Sequence, residues 1–549
     1  MVWLLHSCAM SAGPPATTQS SDQQLSDRAR RNVLLGLMLT MALVAMDTTV
    51  VATAVPSIVQ NLGGFSQFTW VFSIYVLVQA VTIPIYGKLA DLYGRKPILL
   101  FGIGVFILGS ILSGVAWSMF ALIAFRGLQG IGAGAIQPVV TTIAGDIYTV
   151  EERARIQGWL SSVWGISAVI GPAIGGFFAE YLTWRWIFYI NLPLGALAVF
   201  MIVHYLHESV VRKRHKIDYV GSALLAGGLG LFIFAVLEGG VRWAWLSGTS
   251  VAIFVTSVVI LGGFVVQERR AVEPTVPLWV FGRRVLLGAN LATASLGFLS
   301  IGLTTFLPTF AEGVLGVSAL LAGFVLSSMS IGWPAASALS GRVYLRIGFR
   351  DTALVGMILC VAAAGGFFLF PESVPIWATV VASLVIGAGF GFLSTSLIVG
   401  VQSLIDWNRR GVVTGANLFS RQLGQALGAA VYGSIANAVL LSKLNGAPSS
   451  LAGQLPKTLN DASDALTSNS ANLSVAAKAY LRDALYQATH QVFLTLFIIS
   501  IVSLVIILLT PRKFERIQFA EDAGPSRTES SHSPKRPEAE SPSPARSSK

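Results

Sequence analysis

Long apolar segments restrict the folds that are open to this sequence. About fourteen runs of spanning length lie near residues 33–55, 69–87, 97–117, 120–144, 156–179, 185–206, 219–237, 249–267, 286–310, 318–340, 353–370, 375–401, 412–440 and 489–510. A helix needs about 20 mostly apolar residues to cross the hydrocarbon core of a bilayer. A transmembrane barrel would instead show short segments of alternating hydrophobicity. The sequence therefore predicts an all-α integral membrane protein.

Composition and charge placement support a membrane location. The 549 residues are 54% hydrophobic and 11% charged, whereas a soluble domain carries about 25% charged residues. The net charge of +11 does not indicate nucleic-acid binding, because the Lys and Arg residues fall in short loops between apolar runs. Alternate loops are nearly free of these residues, and this bias predicts that both termini are cytoplasmic. We expect a multi-pass protein of the cell (plasma or inner) membrane.

An internal repeat divides the chain. Several glycines recur at one offset of 257 residues (387 − 130), so that Gly130, Gly132 and Gly134 precede Gly387, Gly389 and Gly391. Repeats of this kind are typical of secondary transporters. We expect two six-helix bundles with an inserted helix pair. The predicted segments are a disordered cytoplasmic N-terminus (1–32), a first bundle (33–206), the inserted pair (207–285), a second bundle (286–510) with an external loop (441–489), and a disordered cytoplasmic tail (511–549).

The loop after the second run has a specific spacing, Gly87-Lys88-Leu89-Ala90-Asp91-Leu92-Tyr93-Gly94-Arg95-Lys96. Its basic residues alone would fit a loop that only sets topology. The complete spacing resembles the loop signature of the major facilitator superfamily. A degenerate copy of the signature at 341–350 lacks the aspartate. In that family the loop is a conformational latch on the cytoplasmic side. The resemblance assigns that role here to Gly87, Asp91, Gly94, Arg95 and Lys96.

Further motifs resemble the fourteen-span drug:proton antiporters of this superfamily. The segments 46–56, 184–193 and 421–428 are similar to signatures of that subgroup. The fifth run resembles the motif that marks antiporters, although Ser167 stands where glycine is usual and Gly-Pro pairs are common in membrane helices. The motif residues are Gly158, Gly171, Pro172, Gly175 and Gly176.

Two charged residues lie deep within apolar runs, Asp47 in the first and Arg126 in the fourth. Such charges are costly in a bilayer unless they are paired or face water. The first and fourth spans are neighbours in the family, so the resemblance implies that the two residues pair. Either the pair is static and structural, or Arg126 tunes proton binding to Asp47. Burial favours the neutral carboxyl and a close guanidinium favours the ionised one, so movement of Arg126 would switch Asp47 between proton loading and release.

Other polar residues within the runs give weaker signals. Asn417, Arg421 and Gln425 recur every fourth residue and therefore share one helix face. This face either lines a central cavity or packs against polar neighbours. Glu238 ends the seventh run and is either an accessory coupling residue or an interfacial carboxylate.

The expected function follows from the resemblance. The sequence has no phosphate-binding loop and no Cys/His cluster with metal-ligand spacing, so we expect no enzyme, no cofactor and no metal, with the proton gradient as energy source. The resemblance implies a monomeric multidrug exporter that works by alternating access among membrane lipids and exchanges protons for small lipophilic or amphipathic compounds, cations included. Two alternatives remain: an exporter of an endogenous lipid, glycolipid or secondary metabolite, and a non-transporting sensor or scaffold.

Overall fold

The computed structural model describes residues 27–53, 55–63, 69–208, 218–239, 243–271, 274, 276–448, 451, 455, 474–512 and 514. This part of the chain is almost entirely helical. Its α-helices are α1 (Asp27–Thr53), α2 (Val55–Leu62), α3 (Thr69–Tyr93), α4 (Arg95–Gly114), α5 (Met119–Ile147), α6 (Val150–Tyr181), α7 (Trp186–Tyr189), α8 (Asn191–Tyr205), α9 (Tyr219–Glu238), α10 (Gly248–Arg270), α11 (Trp279–Gly282), α12 (Arg284–Gly313), α13 (Ala319–Ile347), α14 (Phe349–Leu369), α15 (Ile376–Ser403), α16 (Arg410–Asn445) and α17 (Val475–Leu509).

Within the described residues, fourteen helical segments are long and apolar enough to cross a membrane. The predicted all-α membrane fold is therefore confirmed. The short helices α2, α7 and α11 lie between or beside spans. The chain crosses an even number of times, so α1 begins and α17 ends at the same face of the membrane.

Helix ends differ from the predicted segment bounds at both termini of the fold. Helix α1 begins at Asp27, so residues 27–32 are helical and not part of a disordered N-terminus. Helix α17 runs unbroken from Val475 to Leu509. The last part of the predicted external loop, from Val475 onward, is thus the beginning of the last helix. Ser474 caps this helix through the Ala477 amide, and Leu481 and Leu485 are buried, which stabilises the extension.

Some predicted features lie outside the described residues. These are the N-terminal extension before Asp27, the centre of the predicted external loop at 456–473, and the tail from 515 onward.

The spans form two six-helix bundles and an inserted pair. In the first bundle α5 packs against α3 and α4, and α1 packs against α6 and α8. In the second, α15 packs against α13 and α14, while α12 packs against α16 and α17. The inserted helices α9 and α10 pack on each other, and α9 also contacts α3 and α16, one helix from each bundle.

The sequence repeat has a structural counterpart. Helix α5 begins at Met119 and α15 at Ile376, which is the offset of 257 (376 − 119). The repeated glycines make equivalent close approaches. A Cβ at Gly132 would lie 2.6 Å from the carbonyl oxygen of Gly102 on α4, and one at Gly389 would lie 2.7 Å from that of Gly356 on α14. Small residues let membrane helices pack this closely.

We call the face where α1 begins the basic face, defined by Arg95, Arg153, Arg346 and Arg410. The two bundles meet there through α3 with α16 and α6 with α13. The Tyr344 hydroxyl on α13 donates a hydrogen bond to the Val150 carbonyl at the start of α6. The bundles are therefore in direct contact at the basic face.

Candidate functional site

A buried ion pair joins α1 and α5. Arg126 Nη1 donates to Asp47 Oδ2 at 2.5 Å, and both side chains are fully enclosed. Arg126 Nε donates to the Val71 carbonyl at 3.2 Å, and the guanidinium carbon lies 4.1 Å from the centre of the Tyr75 ring. The predicted pairing of the two intramembrane charges is present in the structure. A buried charge is tolerated only with partners of this kind.

Two amide side chains, Gln129 on α5 and Asn191 on α8, also donate hydrogen bonds to the Asp47 carboxylate. Gln129 Nε2 donates to Asp47 Oδ1 at 2.8 Å, while its carbonyl oxygen accepts from Arg126 Nη1 at 2.8 Å. Asn191 Nδ2 donates to Asp47 Oδ1 at 3.3 Å and to Ser110 Oγ at 2.9 Å. Each carboxylate oxygen thus accepts at least one hydrogen bond from a charged or amide donor.

The site has spare hydrogen-bonding capacity. Within the described residues, Arg126 Nη2, the Tyr75 hydroxyl and Asn191 Oδ1 are buried without a hydrogen-bond partner. Leaving such groups unpaired costs free energy.

The pair lies toward the face opposite the basic face. Asp47 is 6 residues from the end of α1 (53 − 47), and Arg126 is 7 residues from the start of α5 (126 − 119). At 1.5 Å per residue, each is about 10 Å from its helix end.

The antiporter motif of α6 packs beside this site. Thr49, two residues after Asp47, donates through Oγ1 to the Ser167 carbonyl at 3.0 Å. A Cβ at Gly171 would lie 2.0 Å from Thr49 Oγ1, so only glycine permits this approach. Gly158, nearer the basic face, meets α13 instead, where its Cβ would lie 2.8 Å from that of Ala338. Helix α6 therefore touches both α1, which carries Asp47, and the second bundle. Of the remaining motif residues, Gly175 is buried, Gly176 has open space beside it, and Pro172 lies within α6.

Asp91 bridges the two bundles at the basic face. Its Oδ1 accepts from the Gly411 amide at 2.9 Å and its Oδ2 from the Val412 amide at 2.8 Å. These amides belong to the first turn of α16, where backbone N–H groups lack intrahelical partners and attract anions. The carboxylate of α3 thus caps a helix of the second bundle.

Arg95 extends this bridge into a network. It pairs with Asp91 at 2.9 Å and with Asp146 at 3.0 Å. It also donates to the Trp407 carbonyl and stacks over the Trp407 ring, with 3.6 Å between the guanidinium carbon and the ring centre. Asp146 in turn pairs with Arg410 at 2.9 Å. Arg95 thus reaches the second bundle through Trp407, and Arg410 reaches the first bundle through its ion pair with Asp146.

The other residues of the 87–96 loop have defined contacts and backbone conformations. Gly94 has a φ angle of 96°, and its counterpart Gly348 in the degenerate copy has a φ angle of 89°. Both angles lie in a region that favours glycine. The backbone amides of Arg95 and Lys96 donate to the Glu208 carboxylate at 2.8 and 2.7 Å. A Cβ at Gly87 would lie 2.5 Å from the Gly411 carbonyl oxygen. The loop is therefore shaped for close contact with α16.

One helix carries both charged sites. Arg126 and Asp146 lie on α5, 20 residues apart (146 − 126), which is about 30 Å along a helix. The same helix thus carries one residue of the buried pair and one residue of the network at the basic face.

The three polar residues on one face of α16 have different surroundings in the structure. Asn417 donates to Thr293 Oγ1 at 2.9 Å and Asn290 Oδ1 at 3.3 Å, and the Gln425 amide lies 3.5 Å from Ser300 Oγ. These two residues pack against polar neighbours on α12. Arg421 lies between them and does not share these contacts. Glu238 is the last residue of α9, and its accessory role stays a prediction.

Several residues of the two sites were not predicted as such. Gln129 follows Arg126 by three residues and shares its helix face, so that spacing could have identified it. Asp146 lies at the end of an apolar run, and Glu151 and Glu152 follow it closely, so its charge alone does not distinguish it. Asn191 and Ser110 carry no comparable signal, because single amides and hydroxyls are ordinary in membrane helices.

The fold and these sites define a polytopic membrane transporter, and comparisons with known proteins agree. Residues 37–429 match the family model of the Major Facilitator Superfamily. This protein belongs to that superfamily. It handles small-molecule substrates and is a transporter, not an enzyme.

The chain is similar to two proteins of Bacillus subtilis. It is 37% identical over 425 residues to "Multidrug resistance protein 3", which covers 77% of this chain and 82% of that protein. It is 32% identical over 521 residues to "Multidrug transporter protein MdtP", and this match covers 90% of this chain and 96% of that protein. A fungal relative, "Efflux pump dotC" of Dothistroma septosporum, is 31% identical over 402 residues, covering 72% and 69%.

Solved structures share the fold at low sequence identity. The proton:xylose symporter XylE matches with a TM-score of 0.57 at 11% identity, covering 88% of this chain and 97% of that one. The human organic anion transporter MFSD10 matches with a TM-score of 0.54 at 16% identity, covering 86% and 99%. These matches agree with the major facilitator fold expected from the sequence.

Proposed function

We propose that this protein exports small lipophilic or amphipathic compounds in exchange for protons, as a monomer in the cell membrane. The names of its relatives, which include a multidrug resistance protein and an efflux pump, support the export direction. By the positive-inside rule the basic face is the cytoplasmic one, which puts both termini in the cytoplasm.

The observation that carries the proposal is the fully buried pair of Asp47 and Arg126. A carboxylate at this depth is functional by default, because a hydrophobic pair of similar volume would be cheaper to bury. Protonation of Asp47 would remove its charge and so weaken its attraction to the Arg126 guanidinium. Asp47 therefore has the properties required of a proton carrier.

The proposed cycle couples Asp47 to the latch. Protonation of Asp47 from the outside weakens its pairing with Arg126 and favours opening at the cytoplasmic face. Substrate enters there from the cytoplasm or the inner leaflet. Proton release inward restores the pair, and the protein closes at the cytoplasmic face and turns outward.

The contacts in the structure agree with one state of this cycle. The Asp47–Arg126 pair is formed, and the contacts of Asp91 with α16 are formed at the same time. This combination is expected after proton release, when the cytoplasmic face is closed.

The experiment that tests the function is transport into proteoliposomes with an acidic lumen. A panel of fluorescent lipophilic dyes of positive, zero and negative charge is added outside, with pyrene-1-sulfonamide among the uncharged members. One pH unit supplies about 1.4 kcal/mol per proton, which supports up to about tenfold accumulation of an uncharged dye. We expect accumulation that collapses with an uncoupler. Uncoupler-insensitive distribution of every dye would overturn the proposal.

Asp91→Asn is expected to leave the protein in the membrane but to slow turnover several-fold. The asparagine cannot form the ion pair that Asp91 makes with Arg95. Its NH₂ group would face one of the two α16 backbone N–H groups that donate to the Asp91 carboxylate in the wild type. Loss of a hydrogen bond to a charged group costs about 1.5–3 kcal/mol, which here destabilises the closed state. Initial rates in the proteoliposome assay, normalised to reconstituted protein, measure the effect. Wild-type kinetics in this variant would show that Asp91 is not part of a latch.

A further inference from the structure

Arg421 is a cation near the middle of the membrane. It lies 11 residues after the first residue of α16 (421 − 410), about 16 Å along the helix axis. The hydrocarbon core is about 30 Å thick. A charge at this depth must be compensated by a partner or by water.

Within the described residues, Arg421 has neither an ion pair nor a hydrogen bond, and its Nε is buried without a partner. Its neighbours on the same helix face differ, because Asn417 contacts Thr293 and Gln425 approaches Ser300. The intramembrane guanidinium of Arg126, by contrast, is paired with Asp47. Arg421 is therefore an intramembrane charge for which the described residues supply no counter-charge.

The side chain faces the interior of the protein and not lipid. Every residue from 411 to 418 on α16 is buried, as are Ser420, Gln422 and Gly424, while Arg421 is partly exposed. Helix α16 is packed against α3, α5, α9, α12, α15 and α17. The exposed part of Arg421 accordingly borders internal space.

We propose that Arg421 binds the anionic group of a transported compound, so that lipophilic carboxylates or sulfonates are preferred substrates. This inference rests on the proposed export function and names its substrate class. A guanidinium binds such groups through two parallel hydrogen bonds. Binding also relieves the cost of the unpaired buried charge.

The same charge excludes other cargo. A fixed cation without a counter-ion repels lipophilic cations that enter the same space. Asp47 does not offset it, because its carboxylate is already taken by Arg126, Gln129 and Asn191. The expectation that cations are included among the cargo is thereby replaced by a preference for anions.

Two dyes that differ only in charge test this inference. Pyrene-1-sulfonate is permanently anionic, and pyrene-1-sulfonamide has the same ring system without the charge. Binding is measured by thermal unfolding of the detergent-solubilised full chain with each dye, and transport by the proteoliposome assay. The variants are Arg421→Gln and Arg421→Lys. The matched control is Arg346→Gln, which removes one charge from an exposed position at the end of α13.

We expect the wild type to bind the sulfonate more tightly than the sulfonamide, and Arg421→Gln to lose about tenfold of this preference, which is about 1.4 kcal/mol. Arg421→Lys should keep part of it, and Arg346→Gln all of it. Arg421→Gln without dye should unfold at the wild-type temperature or above, because an unpaired charge has been removed from the interior.

The outcomes separate this inference from the proposed function. If dyes accumulate in response to the pH gradient but Arg421→Gln handles both pyrenes as the wild type does, only the anion preference is overturned. If no dye of the panel is driven by the gradient while the sulfonate still stabilises the wild type and not Arg421→Gln, the anion site stands and the coupling proposal fails.

Discussion

Asp47→Asn is expected to abolish accumulation of uncharged dye in response to a pH gradient while leaving the fold intact. Asparagine has nearly the same shape and can still accept from Arg126, but it does not exchange protons. With one pH unit across the membrane, the dye ratio should fall from up to about tenfold in the wild type to unity in the variant. The measurement is steady-state dye accumulation in proteoliposomes.

Exchange of labelled for unlabelled dye without a gradient separates coupling from folding in this variant. The asparagine variant should still catalyse such exchange, because substrate movement needs conformational change and not net proton transfer. A matched control is Asp351→Asn, which removes a carboxylate paired with Arg512 at 2.9 Å near the basic face. This control should retain accumulation. Gradient-driven accumulation in Asp47→Asn at the wild-type level would exclude Asp47 as the coupling residue.

Gly411→Ala is expected to shift the protein toward the state that is open at the basic face. The added Cβ would lie 2.3 Å from the Gly87 carbonyl oxygen on α3 and 2.8 Å from Asp91 Oδ1, so contact between the bundles cannot form without rearrangement. Overpacking of this kind costs about 1–3 kcal/mol. The ratio of open to closed protein should therefore rise roughly 5- to 150-fold, and turnover should fall because each cycle passes through the closed state.

Distances between spin labels at positions 93 and 408 measure this shift, since both residues are exposed and lie on opposite sides of the contact. The labels require Tyr93→Cys and Asn408→Cys in a chain whose two native cysteines are replaced by serine. The wild type should show a short distance, and Gly411→Ala a population at longer distance.

Two glycines of the same helix provide matched controls for the Gly411 substitution. Gly433 has open space where a Cβ would stand, so Gly433→Ala should leave the label distance unchanged and should not lower stability. A Cβ at Gly424 would lie 1.9 Å from the Ala294 carbonyl oxygen on α12. That clash is within one bundle, so Gly424→Ala should lower the unfolding temperature without favouring the open state. Equal behaviour of all three variants would contradict a specific role for the Gly87–Gly411 contact.

The intramembrane ion pair and the latch loop could be predicted because their signals are rare. A charge inside an apolar run is costly, so Asp47 and Arg126 stand out in the sequence without a structure. The glycine repeat likewise indicated that α5 and α15 are equivalent, and their first residues show the same offset. These features depend on local composition and spacing, which a sequence shows directly.

The polar surroundings could not be predicted, because they depend on which helices meet. Asn191 reaches Asp47 across 144 residues of chain (191 − 47), and no local pattern indicates that approach. The face formed by Asn417, Arg421 and Gln425 was left as either cavity lining or polar packing. The structure shows that members of one face differ, since partners on α12 reach the two amides but not the guanidinium.

The most direct test of the central claim is the release of protons when substrate binds. The purified protein is first protonated at acidic pH in a weakly buffered detergent solution with a pH-indicator dye, and the best-transported uncharged compound of the panel is then added to saturation. If Asp47 gives up its proton as substrate is taken up, the wild type should acidify the solution in proportion to the protein present, and Asp47→Asn should not. Equal acidification by both proteins would contradict the account.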